Sequence, residues 1–206
     1  MSRFDAFLRD FERYTELFDK NEKEDSKMHQ LTLDLQEIGS QVRNGIRSWT
    51  TPDLKRIVEW KGLNRVGPRI TNRTRNPGTD VNKLLKFALS IREERLKIEI
   101  LNLIHGVGPA LASTLLTFTN PKNYGVIDYH AWNALHSLGK DLVRKKITVK
   151  KFGFKESGVF TVPELLDYLS VIRKLAKTKN TTARNVDKAL FAYDKVNRTR
   201  QWRLSE

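Results

Sequence analysis

Leu103-Ile104-His105-Gly106-Val107-Gly108-Pro109-Ala110-Leu111-Ala112 decides the fold. It divides two stretches that both carry helical apolar patterns. Gly106 and Gly108 can take positive φ and admit close backbone approach. Val107 can bury between the flanking helices. Pro109 suits the first position of a helix, where its missing N–H costs nothing. Ala112 is small enough for close helix packing. The spacing predicts a helix over Arg95–Ile104, a tight hairpin, and a second helix over Pro109–Thr117. Backbone amides of the hairpin and of the next helix N-terminus, over His105, Gly106, Val107, Gly108 and Ala110, could hold one phosphate, helped by the helix dipole. The plainer reading is a turn between two core helices. No strand precedes the glycines, so this is not a dinucleotide loop.

Working outward, helical periodicity recurs and strand patterns are scarce. Phe4, Phe7, Leu8, Phe11, Tyr14, Leu17 and Phe18 predict one helix face opening at Ser2, with a polar break at Asn21–Asp25. Leu31, Leu33, Leu35, Ile38 and Val42 predict a second helix, ending near Asn44-Gly45. Thr51-Pro52-Asp53 predicts a third, with the Thr51 hydroxyl as cap, running over Leu54–Trp60 to a stop at Gly62. Gly67–Gly78 reads as loop, with two prolines, two glycines and three arginines. Further helices are expected over Asp80–Arg92, Asp128–Leu138, Leu165–Thr178 behind a Thr161 cap, and Thr182–Val196. Lys140–Gly158 reads as irregular, with a short strand at Ile147–Val149, and Asn197–Glu206 as a loose tail. Together these give an all-α chain with two helical parts flanking a cleft. It is expected to be one unit over 1–206, with an N-terminal helical part at 1–92, the hairpin segment at 93–138, and a basic C-terminal part at 139–206.

Composition narrows the function. The 206 residues carry 38 Lys and Arg against 24 Asp and Glu, a net charge of +14. Residues 1–27 hold six basic and eight acidic residues, a net −2, whereas 43–75 hold nine and two, 139–155 seven and one, and 173–203 ten and two. A polyanionic partner is the natural explanation, and solvated helix surfaces the bland one. With no cysteine, disulfides, thiolate zinc, iron–sulfur clusters and a cysteine nucleophile are excluded. No His/Asp/Glu cluster has ligand spacing, so no metal is expected. No apolar run approaches a membrane span, and the N-terminus has no signal core. A soluble, intracellular, cytoplasmic monomer with no membrane partner is the expectation.

After the second hairpin helix comes Asn120-Pro121-Lys122-Asn123-Tyr124-Gly125-Val126-Ile127-Asp128-Tyr129-His130-Ala131-Trp132. Asp128 stands at a helix start, where a carboxylate is favoured in its ionised form. The usual fate of such an aspartate is to cap the helix. The hairpin followed by an apolar pair and Asp-x-His-x-Trp resembles the helix-hairpin-helix DNA glycosylase superfamily (HhH-GPD). The similarity covers about residues 95–138. It implies double-stranded DNA as partner, base flipping, and Asp128 as the catalytic carboxylate. An ionised carboxylate facing the sugar stabilises an oxocarbenium-like state and can orient water. A flipped base needs an apolar pocket, for which Trp49, Trp60, Tyr124, Tyr129, His130 and Trp132 are candidates. Arg69 and Arg73 in the arginine loop, with Lys122, are candidate DNA contacts, and Trp60–Arg65 could supply a wedge. Many members carry a lysine near the position of Ala110 that attacks the sugar. Here Pro109-Ala110-Leu111-Ala112 has none, which implies a monofunctional enzyme leaving an abasic site, with Lys122 the nearest lysine before Asp128. The resemblance also implies a structural monovalent cation on the hairpin carbonyls, and no other cofactor. The substrate is left open between a damaged base in repair and a hypermodified phage base in antiviral defence. A non-catalytic DNA-binding module and a nuclease-associated scaffold are the competing readings; the second lacks a carboxylate cluster suited to two metals.

Overall fold

A computed structural model describes residues 2–63, 66–70, 81–148 and 152–203, with side chains to 198. The described residues are helical with no strand, so the chain is all-α. The helices are α1 (Arg3–Arg9), α2 (Phe11–Glu24), α3 (Ser26–Arg43), α4 (Thr51–Trp60), α5 (Gly67–Ile70), α6 (Val81–Ser90), α7 (Glu94–Asn102), α8 (Pro109–Thr119), α9 (Tyr129–Arg144), α10 (Val162–Thr178) and α11 (Ala183–Arg203). None is long and apolar enough to cross a membrane.

Two helical layers share one continuous apolar core. In one, α11 packs on α2, α9 and α10, and α1 lies on α9. In the other, α8 packs against α3, α4 and α7, with α6 on α7. A division by sequence position groups α1 and α2 with α3–α6. In the fold they lie with the last helix instead, where Phe7 meets Tyr193 edge-on at 5.4 Å.

Capping chemistry sets several of the boundaries. Ser2 and Asp5 form a capping box on α1, and Thr161 and Glu164 form one on α10. On α4 the cap is Thr50 rather than Thr51, because the Thr50 hydroxyl and Asp53 bond reciprocally while Thr51 and Pro52 take the first helical turn. Asp53 is buried there against Arg47 at 2.5 Å.

The structure corrects six further expectations. The first helix is two, broken at Asp10. The polar break at Asn21–Asp25 shrinks to Asp25, because Glu22 stays helical and accepts from the Thr32 hydroxyl at 2.6 Å. Gly67–Ile70 forms a helical turn rather than loop, with Ile70 buried; residues 71–80, including Arg73, lie outside the described residues.

The stretch 140–144 continues α9, because Leu138 and Leu142 keep the 3.6-residue spacing on its buried face. Beyond it, Ile147 and Thr148 form no strand, and Val149 lies outside the described residues. The segment from Phe152 is instead pinned to α9 by side chains. Trp132 Nε1 donates to the Gly153 carbonyl at 2.6 Å, and Asn133 bonds both the amide and the carbonyl of Lys155. Finally, α11 runs through Asn197 to Arg203, so that part of the tail is helix.

Candidate active site

The hairpin forms as its sequence requires. α7 ends at Asn102, Leu103–Gly108 turn, and Pro109 opens α8. Ile104 and Val107 are buried between the helices, and the Val107 amide donates to the Ile104 carbonyl at 2.8 Å. Gly106 has φ +96 and lies against α5. A Cβ there would come within 3.1 Å of Arg69 Cβ and 3.2 Å of Ile70 Cγ1. Gly108 caps α8 with no side-chain cap bond, and open space lies where its Cβ would be.

A second turn delivers a cation to the centre of the molecule. α4 ends in a Schellman motif: the Gly62 amide donates to the Glu59 carbonyl and the Leu63 amide to the Val58 carbonyl, with Gly62 at φ +70. That ending sets Trp60 and Lys61 on the inner side. Trp60 Nε1 donates to Thr32 Oγ1 at 2.8 Å, and its ring meets Phe118 edge-on. Lys61 Nζ donates to the Ile127 carbonyl at 3.3 Å and lies 3.8 Å from Asp128 Oδ2.

The strand-like loop before Asp128 is held peptide by peptide. The Val126 amide donates to Asp187 Oδ2 at 2.7 Å, and its carbonyl accepts from the Tyr168 hydroxyl at 3.2 Å. The Ile127 amide donates to Ser113 Oγ at 3.1 Å, while that hydroxyl donates to the Ala110 carbonyl on the first turn of α8. The second hairpin helix therefore buttresses the loop directly. Asp128 then caps α9, its Oδ1 accepting from the Ala131 amide at 2.8 Å.

These pieces surround a cavity of about 880 Å³ between the two layers. Lys61, Ala110, Asp128, Tyr129, Arg184 and Asp187 line it, and α2 supplies a further wall through Phe18 and Asn21. Asp187 is fully enclosed and bonded to Arg184 at 2.7 Å; burial pushes its carboxyl up, opposed by that guanidinium. Burial likewise pushes the Lys61 amine below its ordinary value, with Asp128 and Asp187 pulling it back up. The Tyr168 hydroxyl is held well above its ordinary value by burial and so stays a proton donor.

Of the six aromatic and histidine candidates, the structure brings three to Asp128. Trp60, Tyr129 and His130 line the same cavity. His130 is also a hydrogen-bonded helix histidine, with Nδ1 2.8 Å from Asp194 and its ring 4.8 Å from Phe191. The other three lie elsewhere. Trp49 is fully buried with Nε1 on Thr119 Oγ1, and Trp132 is turned away against Phe152 and Phe160. Trp132 follows Asp128 by four residues, yet it does not line the Asp128 cavity. Tyr124 belongs to a second cavity, beside the bidentate pair of Arg173 and Glu94 at 2.5 and 2.9 Å, where burial pushes its hydroxyl up to about 12. Lys122 lines that second cavity too. Arg69 is exposed on α5 beside the hairpin.

Sequence reading missed Ser113, Tyr168, Arg184 and Asp187, and gave Lys61 only a possible wedge role. Ser113 had one signal, a hydroxyl on an otherwise apolar helix. The charges on α11 had none, since Arg184 and Asp187 read as a surface pair one turn apart. Among the described residues no group of three or more His, Asp or Glu could hold a metal ion.

No family model, no curated protein and no solved structure matches the chain. The fold and site define an all-helical basic protein with a carboxylate and an amine at the floor of an interlayer cavity.

Proposed function

We propose that this protein is a DNA glycosylase of the helix-hairpin-helix type, which flips a base into the interlayer cavity and breaks its N-glycosidic bond. One observation carries the reading. Asp128 caps α9 with Oδ1 while lining the cavity, and the loop before it rests on the first turn of the hairpin helix. A phosphate held at the N-terminus of α8 would bring the adjacent sugar towards that carboxylate. An ionised Asp128 would then stabilise positive charge as it develops at C1′, or orient water for attack. The net charge of +14 supplies the attraction for double-stranded DNA. Trp60, Tyr129 and His130 form the base pocket in this reading. With no lysine on α8, hydrolysis to an abasic site is the reaction the hairpin alone supports.

A structural monovalent cation on the hairpin fits the turn in part. Among the described residues the Ile104 carbonyl accepts the Val107 amide and the Gly108 carbonyl accepts the Leu111 and Ala112 amides, so the cation would have to be held by other carbonyls of the turn.

The cavity bears on substrate choice. Ligand sites span about 300–1,000 Å³, and a volume of about 880 Å³ lies near the top of that range. A cavity of that size has room for an ordinary damaged base and for one enlarged by modification, as in phage DNA, and base release decides between them. The competing reading, a non-catalytic DNA-binding module, rests on the cap bond from Ala131 to Asp128, which by itself needs no chemistry.

The test is base release from genomic DNAs of different base chemistry, including phage DNA with modified cytosine, analysed by mass spectrometry. Wild type should release one base that Asp128→Asn does not. Tight binding by both proteins with no release from any DNA would instead support the module.

A further inference from the structure

We infer that Lys61 is an amine nucleophile of the same site, so that the enzyme forms a covalent imine with the sugar and cleaves the strand. The inference rests on the glycosylase reading of the Asp128 cavity. Lys61 reaches that cavity from the end of α4, not from the hairpin helix. Its position is fixed twice, by the Schellman turn at Gly62 and by its bond to the Ile127 carbonyl. Its side chain is only 12% exposed, and that exposure is into the cavity it lines. Nζ and Asp128 Oδ2 therefore lie 3.8 Å apart on the wall of the same cavity. A sugar carbon presented to one is presented to the other.

An enclosed amine beside a carboxylate is what nucleophilic attack at such a carbon needs. Burial favours the neutral amine, and Asp128 is placed to take the proton that Nζ sheds. In the full reaction Nζ bonds to C1′ as the bond from C1′ to the base breaks. The base leaves with the bonding pair and gains the proton lost from Nζ. The nitrogen lone pair then forms the C1′=N bond as C1′–O4′ opens, and O4′ takes a proton. Loss of a C2′ proton expels the 3′ phosphate, and water hydrolyses the imine to restore the amine. With a preformed abasic site only the later part is needed, in which amine and aldehyde condense with loss of water.

That shortcut gives a test needing no knowledge of the base. A labelled duplex with one preformed aldehydic abasic site is mixed with the full chain and borohydride, and the adduct is mapped by peptide mass spectrometry. Wild type should give an adduct on Lys61 and, without borohydride, a nicked strand. Lys61→Gln and Lys61→Arg should each lower both by at least tenfold, whereas Lys86→Gln, on the exposed side of α6, should not. Lys61→Arg keeps the cation beside Asp128, so its loss of adduct separates chemistry from folding, and mapping on wild type requires no variant at all. An adduct on another amine, an undiminished adduct in Lys61→Arg, or binding without any adduct would overturn the inference. If base release dependent on Asp128 persisted in that case, the glycosylase reading would stand without it. Absence of both base release and duplex binding would overturn the two together.

Discussion

Asp128 uses Oδ1 on the Ala131 amide and keeps Oδ2 towards Lys61, so its cap and its chemistry can be separated by substitution. Asparagine caps a helix about as well as aspartate. Asp128→Asn should therefore melt within about 0.5 kcal/mol of wild type yet release base at least about a hundredfold more slowly, the usual cost of removing one charge-stabilising group. Asp128→Ala should lose the cap as well, about 1 kcal/mol by thermal or urea unfolding. Equal release by Asp128→Asn and wild type would reduce the residue to a cap. At this scale the Asp128 cap was legible, because a helix start after an apolar pair is a local pattern. Lys61 was not, because its contact with the Asp128 loop joins segments far apart in the chain. Trp49 and Trp60 look alike in sequence; only packing decides that one is core and the other faces the cavity.

The elements that carry the site depend on backbone geometry at their ends. Gly62 holds the left-handed position of the Schellman turn that aims Lys61. Gly62→Ala should cost roughly 1 kcal/mol and weaken adduct formation beyond its effect on stability; a normal adduct yield would show that the turn does not position the amine. Gly106→Ala combines a left-handed φ with close contact to α5 and should destabilise by roughly 1–3 kcal/mol, read as a lowered urea midpoint.

A third case concerns α1, where Lys145 and then Ser2 hold the Asp5 carboxyl down at about 2. A lowered carboxylate stabilises the fold fully above its ordinary value of 3.8, and that share is lost as pH falls through about 2. Hydrogen exchange in α1 should thus stay slow at pH 4 in wild type and quicken there in Lys145→Met. Identical exchange in the two proteins would deny Asp5 this role. The Thr161 cap, the hairpin and the Gly62 stop were legible at this scale because each is written within a few residues, whereas the α4 cap lay one residue before the Thr51 expected. The ends of α2 and α9 were misjudged because tertiary partners sustain them. Glu22 bonds Thr32 and Leu142 is buried in the shared core, whereas the end of α11, also misjudged, is held within its own helix, by Asn197 on the Tyr193 carbonyl and Arg198 on Asp194.

The whole molecule is a basic body whose two layers meet at the Asp128 cavity, and its charge should govern association. Duplex binding should fall steeply with salt, and Arg69→Ala, which removes one exposed cation beside the hairpin, should weaken binding uniformly across sequences and lower the salt slope by about 1. An unchanged slope would place Arg69 off the DNA path. The all-helical class was legible from periodicity alone. The return of α1 and α2 to the last helix was not, since nothing local in Phe4–Phe18 says which distant helix covers that face.

The most direct measurement is a single-turnover time course of free base released from phage DNA with modified cytosine, with wild type and Asp128→Asn each saturating the DNA. Release by wild type, slowed at least about a hundredfold in Asp128→Asn at equal occupancy, is the expected result. Equal rates would contradict a catalytic Asp128, and no release by either protein from DNA that both occupy would exclude modified cytosine as the substrate.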